Sequence, residues 1–383
     1  MSEKKSMIPY GKQTIDQDDI NAVLDVLQSD WLTTGPKIQE FEENLSSISG
    51  AKYAVVLNSG TAALHAAYFV AGVGPGDEVI TSPITFAATG NAALYLGARP
   101  VFIDVRPDTI NINASIIVKK INSRTKALVP VDFAGHPAEL DSIIDIARKH
   151  NLIVIEDAAH SLGAKYRGKP IGSIADMTIF SFHPVKHITT GEGGAVVTNN
   201  KEFYEKLLAF RSHGMERTRC KLAEYHGPWY HEMHHLGYNY RITDIQCALG
   251  ISQLKKLSGF LQKRQEIVNY YNEQLGSINA VELPMVLQDI EPAWHLYVVK
   301  LKDQKIDRRI IYENLHNSGV GVQVHYLPVY RHPYYQKLGY TKGLCPVAED
   351  YYERTISLPL YPLMSKTEME YVVEQLYKQL SRG

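Results

Sequence analysis

The chain has 383 residues, of which 45% are hydrophobic; this is more apolar material than one small domain needs, so two domains are expected. Its 40 Lys and Arg against 41 Asp and Glu leave a formal net charge of −1, with no like-charge run beyond Lys4-Lys5, which argues against nucleic acid or an anionic membrane as partner. Cys220, Cys247 and Cys345 form no C-x-x-C pair, and no apolar stretch has the length of a signal peptide or a bilayer span, so disulfides and structural zinc are not indicated and a cytoplasmic location is expected.

From about residue 52 to 199, short apolar runs alternate with longer amphipathic stretches, the pattern of a mostly parallel sheet between helices. Strands are predicted at 52–57, 78–82, 100–104, 126–131, 152–156, 177–182 and 194–198. The intervals 61–72, 86–97, 113–122 and 137–150 hold crossover helices, whereas the last two strands lie too close for one and are predicted to run antiparallel. A helix follows at 201–210 and one or two long helices at 241–274. Between them, 213–240 is rich in His, Tyr, Trp, Gly and Pro and reads as a long functional or intersubunit loop. From about 275, strands at 296–300 and 321–324 mix with helices at 306–317 and 366–380 as a smaller α+β unit. The expected division is a large domain over 1–255 and a small one over 256–383.

Two strand ends carry the chemistry. The run Leu152-Ile153-Val154-Ile155 ends in Glu156-Asp157-Ala158-Ala159-His160, and the next strand leads through Ser181 to Lys186 and then to Gly191-Glu192-Gly193-Gly194. An amine held in a partly dry, glycine-lined pocket has a lowered pKa and attacks carbonyls as the free base. Asp157, at the end of a strand buried on both faces, needs a cation or several donors, met either by a structural salt bridge or by a protonated ring nitrogen. Asn58-Ser59-Gly60-Thr61 joins a strand to a helix whose first amides suit a phosphate-sized anion, plain capping by Ser59 or Thr61 being the alternative. Pyridoxal phosphate supplies both the ring nitrogen and the phosphate. Phe86, after another strand, is placed either to stack on that ring or to fill the core.

Three further patterns carry less. His231-Glu232-Met233-His234-His235 satisfies H-E-x-x-H, but the nearby Gly227-Pro228 and Gly237 leave too little helix to hold both histidines on one face of a zinc hydrolase site. Gly72-Val73-Gly74-Pro75-Gly76-Asp77 precedes a strand and reads as a turn, not a dinucleotide loop. His183 and His187 flank Lys186 on a tight loop without an acid or cysteine at metal spacing, so no metal is assigned.

These motifs, with Trp31-Leu32-Thr33-Thr34-Gly35-Pro36 and Gly237-Tyr238-Asn239-Tyr240-Arg241, resemble the sugar aminotransferases of the DegT/DnrJ/EryC1/StrS family almost end to end. The resemblance implies the aspartate aminotransferase fold (fold type I), with a mostly parallel seven-stranded sheet between helices and a smaller C-terminal α+β domain. It implies pyridoxal 5'-phosphate, with pyridoxamine phosphate formed in turnover, and Lys186 as the Schiff-base residue. Asp157 would hold the ring nitrogen, and His160 would lie near the 3-hydroxyl. Gly60, Thr61 and Ser181 would bind the phosphate, which Asn239 would reach from the other subunit of a homodimer, and Phe86 would stack on the ring. The segments 188–194, 210–215, 323–330 and 333–336 resemble the branch that aminates a UDP-linked 4-keto-6-deoxy sugar with L-glutamate for pseudaminic acid. Thr33, Thr34, Arg211, His213, His325 and Tyr326 are the implied substrate contacts. A family branch with histidine in place of the lysine dehydrates sugars, and Lys186 argues against it. A non-catalytic nucleotide-sugar-binding protein is a further alternative, opposed by the full set of Lys186, Asp157, Ser181 and Thr61.

Overall fold

The computed structural model describes residues 7–381; Lys4 and Lys5 lie outside them. Seven strands form the main sheet: β1 Tyr53–Leu57, β2 Glu78–Thr81, β3 Arg99–Phe102, β4 Thr125–Val129, β5 Ile153–Asp157, β6 Met177–Ser181 and β7 Gly194–Thr198. Their order in space is β1-β7-β6-β5-β4-β2-β3. Pairs from β3 through β6 are parallel, and β7 runs antiparallel to both β6 and β1. The β6–β7 connection, residues 182–193, holds no crossover helix and folds back on itself, so β7 returns alongside β6 in the opposite direction.

Helices cover both faces, so the central strands are apolar at nearly every position instead of alternating with polar residues. Val56, Val154, Phe180 and Val197 face Phe41 and Leu45 of helix α1, Pro36–Ser49. The intervening residues Val55, Ile155, Ile179 and Val196 face helix α2, Gly60–Val70. That second helix is buried on almost every side and is rich in alanine, whose small side chain lets it lie close to the sheet.

The close approach is greatest at the N-terminus of α2. A Cβ added to Gly194 would stand 2.6 Å from the amide nitrogen of Gly60 and 2.6 Å from the carbonyl oxygen of Ser59. These are backbone atoms and cannot swing aside as a side chain would.

Beyond the sheet, the region 241–274 is two helices, Asp244–Leu254 and Leu257–Leu275. A second sheet of Val281–Glu282, Tyr297–Leu301 and Thr355–Leu358 is antiparallel and is covered by helices Arg308–Asn317 and Lys366–Leu380. The expected strand at 321–324 does not form: Gln323 alone makes an isolated bridge to Ser357. The chain's N-terminal segment takes its hydrogen bonds instead, with Gly321 donating to the Ile8 carbonyl at 2.7 Å and Ile8 donating to the Gly319 carbonyl at 2.9 Å. The predicted helix at 113–122 shrinks to Ala114–Ile117 and a following 3₁₀ turn. Within 213–240, Met215–Glu216 pairs with Glu232–Met233, so Glu232 lies on a strand and His231 and His235 do not share a helix face. Gly72 and Gly76, at φ +74° and +86°, form the turn before β2.

Gly194→Ala is expected to lower stability by about 1–3 kcal/mol, the usual cost of overpacking against atoms that cannot move. A thermal or urea melt checks it, and an unchanged midpoint would show that the helix end has room to retreat.

Candidate active site

A cavity of about 630 Å³ opens where the C-terminal ends of β5 and β6 meet the N-terminus of α2. Sheet parity decides which side chains reach it. Ile155 and Asp157 point to the α2 face of β5, as Ile179 and Ser181 do on β6, while Val154, Glu156, Thr178 and Phe180 point to the other.

Asp157 is buried, and its Oδ2 accepts a 2.6 Å hydrogen bond from the Thr89 hydroxyl. Oδ1 accepts from the Ala159 amide at 3.3 Å. Burial raises its pKa, and the Thr89 and Ala159 donors and the Lys186 charge pull it back down. Lys186 sits in the turn after β6, its amide donating to the His183 carbonyl at 2.9 Å. The side chain is partly reachable from the cavity while its amine is enclosed by protein. Enclosure brings the amine down to about 8, and the attraction of Asp157 keeps it from falling further.

Opposite these two lies an amide cradle. Ser59 caps α2 by accepting from the Ala62 amide at 3.0 Å, so the capping reading holds for that residue. The amides of Gly60 and Thr61, first in the helix, have no carbonyl ahead of them and line the cavity. Ser181 faces them so closely that a Cβ on Gly60 would meet its Cβ at 3.1 Å and its Oγ at 3.2 Å. Amides at a helix start beside a hydroxyl bind an anion.

The third wall is imidazole. His160 Nε2 lies 3.3 Å from the Tyr326 hydroxyl, and its Nδ1 has no partner among the described residues. The His295 ring stands 4.3 Å from it, centre to centre, and His187 is 5.6 Å beyond, its Nε2 3.1 Å from the Ala293 carbonyl oxygen. His325 Nδ1 is 2.8 Å from Ser357 Oγ. Burial first, and then the Lys186 charge among the neighbouring ones, lowers the pKa of all four, that of His325 to about 3. They are neutral at physiological pH. Phe86 stands at the cavity with its ring 65% exposed, so it is not a core residue.

Not every residue singled out in the sequence comes to this cavity. Arg211, expected at the substrate, has its guanidinium tied to Glu42 at 2.6 Å and to the Val56 carbonyl at 2.8 Å, where it braces α1 against β1. Thr33 pairs with Thr243, and Thr34 lines a separate shallow hollow. His213 occupies a left-handed turn, its amide donating to the Tyr238 carbonyl. Asn239, bridged to Ser212, is exposed and lies outside the cavity of its own chain. Conversely, Tyr10, Thr85, Thr89 and His295 were not anticipated. Thr85 and Thr89 follow a strand end four residues apart, their hydroxyls 2.8 Å from each other, and the strand-end logic that drew attention to Phe86 applies equally to them.

The sequence pattern of the DegT/DnrJ/EryC1/StrS aminotransferase family matches residues 13–377. The chain belongs to that family. It is 41% identical over 384 residues to a Campylobacter jejuni protein named UDP-4-amino-4,6-dideoxy-N-acetyl-beta-L-altrosamine transaminase, covering 98% of both chains. Among solved structures, Helicobacter pylori PseC, titled an aminotransferase involved in the biosynthesis of pseudoaminic acid, superimposes with a TM-score of 0.92 at 37% identity, covering 99% of this chain and 100% of that one. The putative sugar aminotransferase Spr1654 from Streptococcus pneumoniae, known in PLP and PMP forms, gives 0.92 at 31% identity, covering 98% of this chain and 99% of that one. DegT/DnrJ/EryC1/StrS aminotransferases use pyridoxal phosphate, and the residues present fit it. The cavity offers an amine to bind covalently, a buried acid that accepts, an anion cradle at the helix start, and an unpartnered Nδ1 on His160.

In the cofactor-free protein, the Lys186 amine is expected to titrate near pH 8, the value to which burial brings it. Asp157→Asn should move that titration lower, since it removes the charge that favours the ammonium. NMR of 13C-labelled lysine side chains follows both; an ordinary lysine titration, indifferent to the substitution, would show that the amine is solvated.

Proposed function

We propose that this protein transfers an amino group from L-glutamate to C4 of a UDP-linked 4-keto-6-deoxy-N-acetylhexose, giving UDP-4-amino-4,6-dideoxy-N-acetyl-β-L-altrosamine for pseudaminic acid biosynthesis. The observation that carries the chemistry is the enclosed amine of Lys186 beside buried Asp157, across the cavity from the amide cradle. The substrate rests on the 41% identity, over almost the whole chain, to the Campylobacter transaminase.

In this reading Lys186 would hold the cofactor covalently, and the amides of Gly60 and Thr61 with the Ser181 hydroxyl would hold its phosphate. Asp157 would accept a hydrogen bond from its ring nitrogen, and His160 and Phe86 would hold the ring from beside it. Pyridoxal phosphate, when bound, supplies an electron sink next to the reacting C–H bond. Once the substrate's own amine had displaced it from the cofactor, the free Lys186 Nζ would take the proton from the α-carbon of glutamate and later deliver one to C4 of the sugar. An amine brought to about 8 does this well at neutral pH, because its proton is neither held too tightly nor lost altogether. Burial raises the pKa of Asp157, but the Thr89 and Ala159 donors and the Lys186 charge favour its ionised form, which would keep a proton on the cofactor's ring nitrogen. His325 and Tyr326 form the wall on the sugar side.

We read the protein as a cytoplasmic homodimer with shared sites. Support comes from the exposed apolar residues Trp229, Met233 and Leu236 on the segment that leads to Asn239, which in this reading reaches the phosphate of the second subunit. Thr33, Thr34 and His213 would also act only across that contact. The large and small domains divide near residue 255, between the helices ending at Leu254 and beginning at Leu257.

Incubating the purified protein with glutamate and a panel of UDP- and dTDP-linked 4-ketosugars is expected to release 2-oxoglutarate and to give the 4-amino sugar by NMR with the UDP-linked substrate. Lys186→Ala should abolish both the visible absorption of the bound cofactor and turnover. A variant that retains both would sink the assignment of the lysine, and a preference for dTDP-sugars would sink the substrate. Mixing inactive Lys186→Ala and Asn239→Ala subunits should restore part of the activity if the site is shared.

A further inference from the structure

Behind the cavity, on the opposite face of β5 from Asp157, lies a pair of acids with no cation beside it among the described residues. Glu156 and Asp132 are both fully buried. Glu156 Oε2 accepts from the Thr178 hydroxyl at 2.8 Å. Asp132 Oδ1 accepts from the Ala138 amide at 2.9 Å, and Oδ2 from the Ser161 hydroxyl at 2.6 Å. The two carboxyl groups are within hydrogen-bond reach of each other, and the charges acting on them are their own and that of Asp157, all negative. Two carboxylates in contact without a counter-ion do not both ionise in a dry interior.

We propose that Glu156 is a neutral carboxylic acid at physiological pH, that it donates its proton to ionised Asp132, and that this pair positions the turn bearing Asp157 and His160. The location of the proton follows from the donors already present. Both oxygens of Asp132 receive a hydrogen bond from elsewhere, so a proton on either would compete with a donor. Glu156 Oε1 receives none among the described residues, and it is the oxygen with room for a hydrogen. Burial and the Asp132 charge push the pKa of Glu156 well above the carboxylate range, whereas Asp132, with its donors, rises only to about 6.

Positioning follows from what Asp132 holds. Its backbone amide donates to the Asp157 carbonyl at 3.1 Å. Its carboxylate holds the hydroxyl of Ser161, whose amide donates to the Ala158 carbonyl at 2.9 Å, closing the turn that carries His160. Thr178 ties the same unit to β6 through Glu156. The inference concerns the scaffold of the site and is independent of the sugar assigned above.

Two substitutions in the holoenzyme separate the possible protonation states. In Glu156→Gln an amide N–H replaces the O–H and the amide oxygen still accepts from Thr178, so kcat and the absorption of the bound cofactor should change by no more than about twofold. In Asp132→Asn the new NH₂ meets a donor that needs an acceptor, and kcat should fall about tenfold or more, a 1.4 kcal/mol effect within the usual cost of an unmatched buried group. Infrared spectra of the wild type at neutral pH should show the carbonyl stretch of a buried neutral acid, missing in Glu156→Gln. The reverse order of the two variants, or no such band in the wild type, would overturn the proposal. If Asp132→Asn fails to fold, the infrared band and the behaviour of Glu156→Gln decide it.

Discussion

The attraction between Lys186 and Asp157 governs this structure, because each group is removed from water at a cost that the other partly offsets. Desolvation lowers the lysine and raises the aspartate, so each opposes its own ionisation, and the charge of each partner works in the opposite sense. Lysine is brought to about 8, a value that serves proton transfer, and does not become permanently neutral. Asp157 has in addition the short Thr89 hydrogen bond, and that donor comes from a helix that would otherwise have no reason to touch the end of β5. Its position in turn is fixed by Tyr68, whose hydroxyl donates to the Thr89 carbonyl at 2.9 Å. A chain of packed groups therefore runs from the interior of α2 to the carboxylate.

Burial, reinforced by the same charge, explains the neutral histidine wall. His160, His187, His295 and His325 surround an amine that is cationic for part of the time, and a protonated imidazole there would be repelled as well as desolvated. Neutral rings keep one nitrogen as an acceptor and the other as a donor, which suits orienting a ligand oxygen better than attracting a charge. Such a cluster resembles a metal site in composition, yet His160, His187 and His325 lie against the Tyr326 hydroxyl, the Ala293 carbonyl and Ser357, while Nδ1 of His160 and of His295 have no partner among the described residues.

Much of this was legible in the sequence, for reasons that differ from residue to residue. The strands of the main sheet are buried on both faces and stand out as unbroken apolar runs, and Lys186, Asp157 and Gly60 follow strand ends, where an open α/β sheet places its ligands. What failed were segments whose fate is decided elsewhere in the chain. The segment 321–324 has the composition of a strand, but Gly321 donates to Ile8, more than 300 residues earlier, and Gln323 alone bridges to Ser357. Arg211 lies in the segment 210–215 that resembles the pseudaminic acid branch, and nothing local shows that Glu42 will claim it. Asp132 is hidden for the same reason: its partner Glu156 is obvious, but only the parallel pairing of β4 and β5 brings the two together.

The antiparallel strand β7 completes the argument, because it dictates how the lysine is delivered. Had β6 been followed by a crossover helix, as β1, β2 and β4 are, Lys186 would have stood on that helix beyond the sheet. The direct return keeps residues 182–193 as a folded-back loop, with Phe182 donating to the Gly193 carbonyl at 2.9 Å and Thr190 to the Phe182 carbonyl at 3.0 Å. Those two bonds close the loop at its base and hold its tip, with Lys186, over the cavity. The return strand then begins at Gly194, where a side chain would press directly on the backbone of the amide cradle. Reversing a single strand thus sets both the reach of the amine and the closeness of the anion site, and neither can be altered without disturbing the other.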